Sequence, residues 1–130
     1  MDEIDKFAPV LSHLLQKAMG HARNAKRTLF LTENETYKYE TASSYATLAY
    51  SDFQSFWLIS KTHEDLDRYE FDDLMSQVTT FCDEILEDLA TNHSQQWSDI
   101  EYRRLVQTVY PVQQLLNTNA LTDDEIATLN

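Results

Sequence analysis

The chain has 130 residues, with 22 acidic side chains against 10 basic ones and a formal net charge of −12. That balance opposes general binding to nucleic acid or anionic membranes and favours basic partners. A single glycine, Gly20, and two prolines all but exclude a phosphate-cradling loop, a dinucleotide fold or a set of tight hairpins, which need glycine for positive φ or close backbone approach.

One cysteine, Cys82, cannot form an intramolecular disulfide and fits a reducing, cytoplasmic compartment. No apolar run approaches the ~20 residues of a membrane span. The opening MDEIDKFAPV is acidic, unlike a signal or transit peptide. The length fits one domain over residues 1–130, long enough for a real core.

A first helix is expected from Asp5 to Arg27. Phe7, Val10, Leu11, Leu14, Leu15, Ala18, Ala22 and Ala25 share one stripe at 3.6-residue spacing. Pro9 suits only a first turn, so the helix is expected to start near Ala8. Its far end is basic, with Lys17, Arg23, Lys26 and Arg27.

Residues 28–41, TLFLTENETYKYET, read two ways. At period 3.6 they extend the helix and turn over near Glu33–Glu35. At period 2, Thr28–Thr32 and Thr36–Glu40 form a small β-hairpin, which their β-branched and aromatic content supports. Helix or loop is preferred, because the turn lacks glycine and an isolated two-stranded ribbon is marginal.

A second helix is expected from Thr41 to Ser60, with Ala42, Tyr45, Ala46, Ala49, Phe53, Phe56 and Trp57 as its stripe and a break near Tyr50 where Ser51-Asp52 could restart it. The third, from Tyr69 to Ala90, has the cleanest pattern. Phe71, Leu74, Met75, Val78, Phe81, Cys82, Ile85, Leu86 and Leu89 lie within roughly 140° of arc at 100° per residue. Ser98-Asp99-Ile100-Glu101 reads as a capping box for a fourth helix, with Trp97 and Tyr102 as its hydrophobic staple and a kink expected before Pro111. Thr122-Asp123-Asp124-Glu125 repeats the box, with Leu121 and Ile126 as the staple, ahead of a short helix over 123–129. The expected fold is all-α, an antiparallel bundle of four to five helices.

Around the third helix, residues 64–88 hold ten acids and one base, Arg68, which is −9 of the chain's −12. Glu70/Asp73 and Glu84/Glu87 are i,i+3 pairs that could share a divalent cation in a metal-dependent hydrolase. The pairs are 14 residues apart, or ~21 Å along a helix, so one metal cannot join them. His13, His21, His63 and His93 are scattered without a zinc spacing. His21 reads as a satisfied, half-buried histidine, and the pair His63-Glu64 lacks a partner to orient it as a general base. Cys82 lies on the packing face and reads as a structural thiol. No catalytic residue, cofactor or metal site is expected.

The acids break two local rules. Asp83–Glu87 and Glu84–Asp88 are like-charge i,i+4 pairs, and Glu87 and Asp88 stand where the helix dipole favours cations. Such conflicts often mark interaction surfaces. Either the basic end of the first helix neutralises this face or a basic protein docks there. The expected partner face is Glu70, Asp72, Asp73, Asp83, Glu84, Glu87 and Asp88, in a protein-binding protein that could act as a nucleic-acid-mimicking inhibitor. The alternative is an assembly protein that forms a homodimer through its aromatic second helix.

Overall fold

The computed structural model describes residues 3–31, 37–91 and 96–129. They form α1 (Glu3–Leu31), α2 (Lys38–Ser60), a 3₁₀ turn (Glu64–Leu66), α3 (Tyr69–Thr91), α4 (Gln96–Leu116) and α5 (Asp123–Ala127), with no strand among the described residues. α1 packs on α2 and α4, and α3 packs on the same two, so α1 and α3 stand at opposite corners of the bundle. Neighbours run antiparallel. Lys17 and His21 meet Asp52, Cys82 meets Ala46, Phe81 meets Tyr102, and Lys26 meets Asp99.

The core is one apolar cluster drawn from all four long helices. α1 contributes Leu11, Leu15, Ala18, Met19, Ala22, Ala25 and Leu29, whereas Val10 is exposed. The stripe continues through Leu29, and this overturns the hairpin. Of the two would-be strands, Thr28–Leu31 and Lys38–Glu40 are helical and Tyr37 is a turn residue that caps α2, while residues 32–36 lie outside the described residues. Local β propensity there yields to the continuing helical face. α1 also starts earlier than Pro9 suggested, at Glu3. Ile4, Phe7 and Ala8 pack against the core, and their burial offsets the amide donor that Pro9 lacks.

α2 runs unbroken through Ser51 and Asp52, because Asp52 faces α1 and takes Lys17 at 3.8 Å and His21 Nε2 at 3.6 Å. Among the described residues, however, His21 Nδ1 has no hydrogen-bond partner, so that histidine is only partly satisfied. Phe53 and Phe56 are buried in the core. α4 passes through the exposed Pro111 and ends at Leu116. There Asn117 takes the left-handed conformation (φ 52°), Thr118 N–H bonds Gln113 O at 3.0 Å and Asn117 N–H bonds Gln114 O at 3.2 Å. This is a Schellman stop with asparagine in place of glycine. The Gln113 side chain then accepts from the amides of Ala120 and Leu121, at 3.0 and 3.2 Å, and turns the chain towards α5. Thr122 and Glu125 close the expected capping box, with Leu121 buried and Ile126 against the core.

Gly20 sits inside α1 with nothing within 4 Å of where a Cβ would stand. Gly20→Ala is therefore expected to raise stability by about 0.5–1 kcal/mol, since alanine loses less backbone freedom in a helix interior. Thermal melts would show a higher midpoint, and a lower one would contradict the open space.

Candidate functional site

The seven acids expected to form one face divide into four groups. Asp88 is the clearest correction: it is 1% exposed and faces the core. Ser98 Oγ donates to its Oδ2 at 2.5 Å, joining the end of α3 to the start of α4. The same bond displaces the expected cap. α4 begins at Gln96, and Ser98 is a buried first-turn residue that serves Asp88. Glu101, the other half of that expected box, accepts from Gln77 Nε2 at 2.9 Å and from Arg104 at 2.8 Å.

Asp72 is held inside the molecule's own surface chemistry. Trp57 Nε1–H donates to its Oδ1 at 2.9 Å, and Lys61 Nζ lies at 2.8 Å from the same oxygen and 2.6 Å from Asp67. The Lys61 ammonium, with the indole N–H adding to it, holds the Asp72 carboxyl below the usual carboxylate range. Lys61 also lies 5.3 Å from the Trp57 ring centre. Glu70 is paired as well, with Arg68 Nε at 3.2 Å.

The third group is Asp73, Asp83 and Glu87. Their side chains are exposed and make no ion pair or hydrogen bond among the described residues. On a helical wheel they share the outward face of α3 with Ser76 and Thr80, and 14 residues, ~21 Å, separate Asp73 from Glu87. Glu84, half-buried, is the fourth and flanks that face. The neutral belt between the acids is largely self-satisfied. Thr79 and Thr80 donate to the carbonyls of Met75 and Ser76, and Gln77 is spent on α4.

The basic end of α1 does not cover this face. Arg23 forks onto Glu125, Lys26 lies 3.6 Å from Asp99, and Lys17 goes to Asp52, so these cations engage α5, α4 and α2.

Between α2 and α3 lies a cavity of about 170 Å³, lined by Ala46, Thr47, Tyr50, Cys82, Asp83 and Leu86. Cys82 is buried beside it, with Sγ donating to Ala46 O at 3.3 Å. Burial pushes its thiol up to about 12, and the Asp83 charge adds to the rise, as a structural thiol requires. Leu86, predicted to be buried, is 44% exposed at this seam.

Glu70 and Asp73 line a groove of about 420 Å³ between α3 and α4, with Tyr69, Ser76, Gln77, Gln107, Thr108 and Pro111. Among the described residues no three His, Cys, Asp or Glu side chains converge as a metal site. None of the helices is long and apolar enough to cross a membrane among those residues. No family model, curated protein or solved structure matches the chain.

Proposed function

We propose that this chain is a small acidic binding protein, not an enzyme, and that it engages a basic protein surface through the outward face of α3. Asp73, Asp83 and Glu87 form its centre and Glu84 its flank. One observation carries this reading: on α3 three exposed carboxylates make no ion pair among the described residues, while Lys17, Arg23 and Lys26 of α1 pair with other helices. Like charges held on one rigid helix cost stability, and a cationic partner relieves that cost on docking.

The density of the row limits how it could act. Three carboxylates over ~21 Å fall far short of duplex DNA, with about one charge per 1.7 Å of axis. A basic protein patch is therefore a better match than a full nucleic-acid-binding groove, and mimicry of nucleic acid would need the flanking acids as well. A cytoplasmic setting suits a chain whose one cysteine stays a buried thiol.

Affinity capture tests this with wild type and the triple variant Asp73→Lys, Asp83→Lys, Glu87→Lys. Wild type is expected to retain a basic protein after nuclease treatment and to release it in high salt. The triple variant, helical by circular dichroism, is expected to retain roughly a tenth as much or less, since close charge pairs couple by more than 1.4 kcal/mol. Equal capture by the two proteins would overturn the assignment.

A further inference from the structure

Resting on that reading, we propose that the cavity between α2 and α3 takes one aliphatic side chain from a basic segment of the partner, whose cations lie along Asp83 and Glu87. The cavity's lining sorts into a floor and a rim. Ala46 and Cys82 are buried, so they form the floor. Tyr50 is half-buried and Leu86 is 44% exposed, so they stand as walls. Thr47 and Asp83 are exposed and mark the rim.

The space above the floor is open because the residues facing each other there are small. Alanine on α2 opposes cysteine on α3, and the Cys82 Sγ bond to Ala46 O brings the two helices together without filling the space above. About 170 Å³ suits an aliphatic side chain and is too small for a cofactor. The floor offers such a guest no free polar group, since the Cys82 hydrogen is already donated.

Charge complementarity names the occupant. Asp83 stands at the rim, and Glu87 lies one turn further along the same helix, ~6 Å away. A segment that seats a leucine or isoleucine in the cavity would bring its neighbouring turn against these two carboxylates, and lysine or arginine there would be attracted. A leucine or isoleucine with basic residues one turn away is the pattern of an amphipathic basic helix laid in a groove. The buried anchor would supply affinity and the carboxylates would steer the encounter.

Two synthetic peptides test this by calorimetry at low salt: an amphipathic lysine–leucine peptide, and the same peptide with serine for every leucine. Both are expected to bind wild type, the leucine form about tenfold tighter or better, the discrimination an apolar pocket gives one aliphatic group. Thr47→Phe, at the exposed rim, is expected to fill the mouth and bring the leucine peptide down to the serine one, whose binding stays unchanged. In wild type, the leucine peptide is expected to shift the NMR signals of Tyr50 and Leu86. Equal affinities of the two peptides, or no shift at Tyr50 and Leu86, would overturn the cavity's role and leave the charge reading standing. Failure of both peptides to bind would overturn the two together.

Discussion

Asp88→Lys is expected to destabilise the fold by about 3–5 kcal/mol, while Asp83→Lys and Glu87→Lys each change it by no more than about 0.5 kcal/mol. The three acids lie within six residues of one helix and differ in what surrounds them. Asp88 is 1% exposed and accepts the Ser98 hydroxyl, so a lysine there places an ammonium in a core position against a hydroxyl that needs an acceptor. Asp83 and Glu87 face water. Reversing either removes a like-charge repulsion, and at Glu87 it also suits the C-terminal end of the helix dipole. Urea titration of the three variants reads this directly. An Asp88→Lys variant as stable as wild type would mean that the α3–α4 contact at Ser98 does not hold. Any charge-reversal test of binding must therefore leave Asp88 intact, or lost folding will pass for lost affinity.

Glu125→Ala is the second large change, expected to cost about 3 kcal/mol. Glu125 accepts from Arg23 Nε at 3.0 Å and Nη2 at 2.7 Å, from the Tyr102 hydroxyl, and from the Thr122 amide at 2.9 Å. Without it the half-buried Arg23 guanidinium loses its carboxylate and keeps the Ala120 carbonyl at 3.0 Å, and α5 loses its anchor and the side-chain half of its capping box, while the Thr122 hydroxyl still accepts the residue-125 amide. Burial by itself pushes the Glu125 carboxyl up, but the Arg23 guanidinium and the Tyr102 hydroxyl outweigh it and hold it below its ordinary value of 4.5. A depressed carboxyl stabilises the fold at pH above its unfolded value and loses that contribution as pH falls through its folded one. The stability gap between wild type and Glu125→Gln is thus expected to be widest above about pH 4.5 and to narrow in stronger acid. A gap independent of pH would show that the charge of Glu125 is not what holds α5.

α3 was legible because its signal is strong and local. Its predicted span, Tyr69–Ala90, differs from the structure by one residue at the end. The Thr122–Glu125 box was equally readable, since all its partners lie within four residues. The Ser98 box failed for the opposite reason. Its serine is claimed by Asp88, ten residues away on the previous helix, and no capping rule carries that information. Asp72 was misplaced in the same way, since Trp57 and Lys61 reach it from α2 and the residue just after it. The acids of the expected face all lie on α3, but they do not all stand exposed there. Asp88 is buried and Asp72 is paired because periodicity places a side chain on an arc and says nothing of which neighbour leans over that arc. The cavity between α2 and α3 left a fainter trace, in the facing small residues Ala46 and Cys82 and in a leucine, Leu86, at the border of the stripe.

The opposite corners held by α1 and α3 have an electrical consequence. α3 carries seven acids and no base, a charge of −7, while α1 carries five lysines and arginines against Glu3 and Asp5, a charge of +3. The bundle is thus a transverse dipole as well as a net anion, and a field would exert a torque on it. A basic surface would turn α3 inward and a polyanion would turn it away. At physiological ionic strength the screening length is about 8 Å, so this alignment acts only over the last layers of water before contact. The separation of charge across the bundle would then select orientation during the final approach, when rotation is still cheap and no side chain has yet touched.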